Sequence, residues 1–138
     1  MSLFASPRFL SRVMAADAVS CAATGALQLI FGTALARWTG LPPPLLLATG
    51  VFLLAYAAAA AWMARRALPP RRLIGWVVAG NFAWALACIG LLAVTGSSIA
   101  APGWAWVLAQ AVVVVVFAEL QWMGLRNARA PGPRALAA

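Results

Sequence analysis

Residues 104–125 read WAWVLAQAVVVVVFAELQWMGL, with Glu119 as the one charged side chain. A strand of a membrane β-barrel alternates apolar and polar residues with period two. This stretch does not alternate, and Val112 to Val116 is an unbroken apolar run. In water, consecutive valines favour a strand. A segment this long and apolar is instead long enough to cross ~30 Å of hydrocarbon. There the backbone must satisfy its own hydrogen bonds, so the segment is read as a transmembrane helix.

Three more segments have the same character, at about 13–36, 44–64 and 73–95. Short connectors separate them. Trp38 to Pro44 is a helix stop followed by a proline start. Arg65 to Arg72 is a charged turn, and Gly96 to Gly103 is a turn of small and polar residues. The predicted fold is an all-α, four-helix transmembrane bundle, with residues 1–127 forming one membrane domain. Residues 128–138, rich in Pro, Gly and Ala, are expected to be a disordered tail.

Composition agrees with this reading. Hydrophobic residues make up 65% of the 138-residue chain and charged residues 9%. Mean hydropathy is +0.95. A soluble domain of this size could not bury so much apolar surface. The net charge of +8 comes from ten arginines against Asp17 and Glu119. The arginines flank the spans, which indicates orientation and lipid headgroups rather than nucleic acid. Arg8, Arg12, the four arginines of the second connector, Arg126, Arg129 and Arg134 lie on one side, and Arg37 alone on the other. Both termini are therefore expected in the cytoplasm. Six of the seven tryptophans fall near the two interfaces in this frame, and Trp84 lies deeper. The first apolar stretch is longer than the ~7–15 residues of a signal peptide, so it is read as an uncleaved span despite Ala34-Leu35-Ala36.

Inside the spans, polar side chains are costly and therefore informative. Counting ~1.5 Å per residue from the nearest cytoplasmic arginine places Asp17 roughly 7–8 Å deep and Glu119 roughly 10–11 Å. Asn81 and Tyr56 both come out about 13–14 Å deep. Each span thus supplies one polar group to a common band, and Gln121 falls in the same half of the membrane. Two readings follow. Asp17, Tyr56, Asn81 and Glu119 are candidates for a proton- or substrate-binding site, with Glu119 the stronger of the two acids. Alternatively they are polar glue between helices. Small residues at four-residue spacing (Cys21 and Gly25; Ala57 and Ala61; Gly75, Ala79, Ala83 and Ala87) are expected to pack the spans against one another.

Much chemistry is excluded. The chain has no histidine, no phosphate-binding loop and no Cys/His metal spacing, so no catalytic residue, metal site or cofactor is expected. Cys21 and Cys88 read as packing residues. The leading expectation is a small non-enzymatic integral inner-membrane protein, structural or accessory to a membrane partner. The alternative is a proton-coupled transporter of a small hydrophobic or cationic solute using an inner-leaflet carboxylate. Expected partners are the lipid bilayer and a homo-oligomer or larger membrane complex.

Four short spans, the Gly40-Leu41-Pro42 connector, the arginine turn and the Leu125-Arg126 stop together resemble the small bacterial four-helix inner-membrane proteins grouped as DoxX-like or as domains of unknown function. The resemblance is architectural and covers most of the chain. It implies a multi-pass protein of the bacterial inner membrane and carries over no functional residue.

The orientation is directly testable. A C-terminal green fluorescent protein fusion should fluoresce and a C-terminal alkaline phosphatase fusion should be inactive, and the reverse pattern would refute the arginine argument.

Overall fold

The computed structural model describes residues 8–66 and 70–127. It contains α1 (Phe9–Ile30), α2 (Gly32–Thr39), α3 (Pro43–Ala64), α4 (Arg71–Thr95) and α5 (Ala101–Asn127), with a 3-10 turn at Gly96–Ser98. Among the described residues there is no strand. α1, α3, α4 and α5 are each long and apolar enough to cross a membrane. The fold is the all-α bundle that the sequence predicts. The tail expected at 128–138 and residues 67–69 of the arginine turn lie outside the described residues.

The first span ends earlier than hydropathy implies. The helix stops at Ile30, and Phe31 leaves helical geometry at φ −111°, ψ 18°. The 22 residues of α1 already cover about 33 Å, enough for the hydrocarbon core. The remaining apolar residues form α2, which is two-sided. Leu35 and Ala36 pack on the core and Thr39 is buried, whereas Arg37 and Trp38 are exposed. A short helix of this kind suits the membrane–water interface.

Thr39 ties this end of the bundle together. Its hydroxyl donates to the Leu35 carbonyl at 2.6 Å and accepts from the Leu41 N–H at 3.2 Å. Its carbonyl accepts from the Ala100 N–H at 3.1 Å. Gly40 then turns the chain with φ 74°, a left-handed conformation that glycine adopts without a Cβ clash. A Cβ at Gly103 would collide with the Thr39 carbonyl oxygen, so only glycine lets α5 approach so closely. α5 begins at Ala101 rather than near 104, because Pro102 in the first turn lacks only an N–H that the helix does not use.

α1 packs most closely on α3 and α4 on α5, and α1 against α5 joins the two pairs. At the α1–α3 crossing the backbones nearly touch. A Cβ on Gly25 would lie 2.8 Å from the Gly50 carbonyl oxygen. Arg71 closes the arginine-rich end, donating from Nη2 to the Leu125 carbonyl at 2.7 Å. There it satisfies an orphan carbonyl and opposes the helix dipole.

The small-residue stripes divide. Cys21, Gly25 and Ala57 are buried, and Ala61 packs against the core. Ala79, Ala83 and Ala87 of α4 are exposed, and a Cβ on Gly75 would meet nothing within 4 Å. The expected internal role of the α4 stripe is therefore not what the fold uses. The helix turns Ile74, Val77, Val78, Asn81, Ala85 and Cys88 inward instead.

These contacts set up a paired test by thermal unfolding in detergent micelles. Gly25→Ala should destabilise the protein by about 1–3 kcal/mol, because the Gly50 backbone has no flexible end to move aside. Gly75→Ala should be neutral or slightly stabilising. Equal losses in the two variants would refute the close approach.

Candidate functional site

Asp17 lies in the middle of α1's inward face, together with Met14, Ala18 and Cys21, and is 0% exposed. A carboxyl in that position must find hydrogen bonds within the protein. It receives one from every other spanning helix. Tyr56 Oη of α3 donates to Asp17 Oδ2 at 2.5 Å. Gln121 Nε2 of α5 donates to the same oxygen at 2.7 Å. Asn81 Nδ2 of α4 lies 3.4 Å from Oδ2 and donates more closely to Gln121 Oε1 at 3.1 Å. Cys21 Sγ, one turn along α1, reaches Oδ1 at 3.5 Å.

Three of the four candidate residues are thus brought together: Asp17, Tyr56 and Asn81. Glu119 is not. It is exposed on α5, while Gln121 is fully buried and takes its place in the cluster. The reason is angular. Two residues along a helix turn the side chain by about 200°, so at nearly equal depth the two point to nearly opposite faces. The inward stripe of α5 is Gly103, Val107, Ala111, Val114, Ala118, Gln121 and Leu125, at spacings of three and four. Gln121 continues that stripe and Glu119 falls outside it. The two carboxyls do not form the pair that a shared-proton site needs.

A smaller polar contact lies further from the arginine-rich end. Thr49 Oγ1 and Gln28 Oε1 are 3.0 Å apart, linking α1 and α3. Among the described residues no group of three His, Cys, Asp or Glu side chains is close enough to hold a metal ion.

Two clefts flank the cluster. Between α1 and α5 an open slot of about 170 Å³ starts at Asp17 and runs past Ser20 and Thr24 to Trp106. Between α3 and α4 a second cleft of about 260 Å³ is lined by Tyr56 and Asn81. Cys21, Leu53, Trp84 and Val114 border both. Trp84 also stacks on Phe52 with ring centroids 5.3 Å apart, bridging α3 and α4. Trp84 is too deep to be an interfacial anchor, and this packing gives it a role.

No family, curated protein or solved structure was found to match the chain. Fold and site define a small multi-pass helical membrane protein with a carboxyl-centred knot joining its four spans.

The knot predicts unequal roles for the two acids. Asp17→Ala leaves the Tyr56 and Gln121 donors without their acceptor and should cost about 2–4 kcal/mol. Glu119→Ala should leave the unfolding temperature of the isolated chain nearly unchanged. Unfolding of both variants in the same micelles checks this, and a mild Asp17→Ala would refute the knot.

Proposed function

We propose that the protein is a small non-enzymatic component of the bacterial inner membrane that docks against another transmembrane helix. The observation that carries this reading is the exposed position of Glu119 on a membrane-spanning helix. A carboxyl facing lipid is unfavourable by a few kcal/mol unless it is paired or reaches water. By depth, Glu119 lies roughly seven residues, about 10 Å, from the Arg126 flank. Its neighbours on the same face are apolar: Val112, Val116 and Trp122 are all exposed. A partner helix offering a donor or cation at this depth would remove the penalty and cover the apolar face. The exposed Ala79, Ala83 and Ala87 of α4 add a surface smooth enough for close helix approach.

A second reading, a carrier for a small hydrophobic or cationic solute, is favoured by the slot that reaches Asp17. It rests on Asp17 alone, since Glu119 does not join the site.

The docking reading is tested with a photoreactive residue in place of Val116, irradiated in native membranes. The expected product is a discrete protein adduct whose yield falls at least about tenfold in Glu119→Leu, the loss expected when a charged hydrogen bond is removed. Adducts with lipid alone, or a protein adduct indifferent to Glu119→Leu, would overturn it.

A further inference from the structure

The two oxygens of Asp17 are used unequally. Oδ2 faces Tyr56, Asn81 and Gln121. Among the described residues Oδ1 has only the Cys21 thiol at 3.5 Å, a weak donor. Every one of these partners is a neutral donor. A set made only of donors suits an ionised carboxylate, yet none of them brings a positive charge. In a low-dielectric interior a cation is the strongest complement such a group can receive.

Asp17 lines the inner end of the slot; its side chain is 0% exposed, so a ligand reaches Oδ1 by turning the Cys21 thiol aside. The slot's rim residues Ala109 and Val113 are exposed on the bundle surface, so it opens between α1 and α5 rather than being enclosed. Trp84 and Val114 supply an apolar wall. At the far end is Trp106, whose indole N–H is buried and has no hydrogen-bond partner among the described residues. Such orphan donors are uncommon. The slot's volume of about 170 Å³ is close to that of an apolar cavity of about 150 Å³ that holds benzene. It therefore takes a single ring or a short chain.

We propose that the slot between α1 and α5 binds a small lipophilic ammonium ion, its charged nitrogen on Asp17 Oδ1 and its apolar body along Trp84. The site is built so that structure and ligand use different oxygens of one carboxyl. This inference deepens the carrier reading by naming its solute class, and it is independent of docking at Glu119.

The test uses the full chain in lipid nanodiscs, with the indole N–H resonances of its tryptophans followed by NMR and Trp106 assigned through Trp106→Phe. Benzylammonium is the probe and benzyl alcohol its neutral counterpart. Benzylammonium should shift Trp84 and Trp106 saturably, with an affinity at least about tenfold above that of the alcohol, the scale of one charged hydrogen bond. Asp17→Asn can keep its carbonyl oxygen on Tyr56 and Gln121 while placing an amide N–H₂ where Oδ1 was. It should lower the amine's affinity at least about tenfold and leave the alcohol's unchanged. Ser20→Leu fills the slot one turn from Asp17 without touching the knot, and should abolish both shifts even if Asp17→Asn fails to fold. The proposal is overturned by any of three results: no saturable shift, equal affinity for amine and alcohol, or amine binding that survives in folded Asp17→Asn or in Ser20→Leu. Binding without uptake of the amine into proteoliposomes would sustain the site and remove the carrier reading.

Discussion

A buried carboxyl among four apolar helices fixes more than its own surroundings. Lipid is as apolar as leucine, so the helices gain little from hiding apolar side chains against one another. What sets their rotation and register must be something that only one arrangement satisfies. Asp17 is such a requirement. Tyr56, Asn81 and Gln121 reach it from α3, α4 and α5. Sliding any helix by one residue moves its donor about 1.5 Å along the axis and rotates it by about 100°. Either change breaks the contact and exposes a polar group to an apolar interior.

The other specific contacts lie at the two ends and agree with this register. Near the arginine-rich end Arg71 holds the last turn of α5. At the opposite end Thr39 holds the start of α5 through Ala100 and permits its close approach at Gly103. Between them, Gly25 and Gly50 let α1 and α3 cross at backbone distance. These contacts determine spacing and tilt, and the Asp17 cluster determines which residues face inward. Exposed side chains such as Trp76 and Leu86 on α4 are then the remainder, fit for lipid or for another helix.

The four spans and the shared level of Asp17, Tyr56 and Asn81 were legible in the sequence because they depend on counting along one axis. Apolar length gives the four crossings, and distance from arginine gives the polar band containing Asp17, Tyr56, Asn81 and Glu119. Direction around the axis was not legible. A soluble helix reveals its inward face by being apolar on one side, but here nearly every face is apolar, so hydropathy carries no angle. Glu119 was therefore named as a site candidate and Gln121 was not, although Gln121 is the one that points inward. The faint signal was the track from Gly103 through Ala111 and Ala118 to Gln121, small residues that allow close packing. The same rule misleads on α4, where the most regular small stripe is exposed. The break at Phe31 was hidden for a related reason: α2 is apolar enough to extend the first span on a hydropathy count, and only its two-sided arrangement marks it as a separate short helix packed on the core.

With only two acids in the chain, their division is itself informative. Asp17 is surrounded by donors inside the bundle, and among the described residues Glu119 has no such shell on the outside. An acid retained solely to hold helices together would be served as well by asparagine, whose one carbonyl oxygen could accept from Tyr56 and Gln121. Asparagine would also avoid the expense of a charge in the membrane. What a carboxylate adds is a second acceptor oxygen and a negative charge. Among the described residues the knot leaves the second oxygen, Oδ1, a single weak thiol contact. The slot runs from that side chain to Trp106. The proposed amine site would account for the choice of Asp over Asn, with one oxygen serving the fold and the other the ligand.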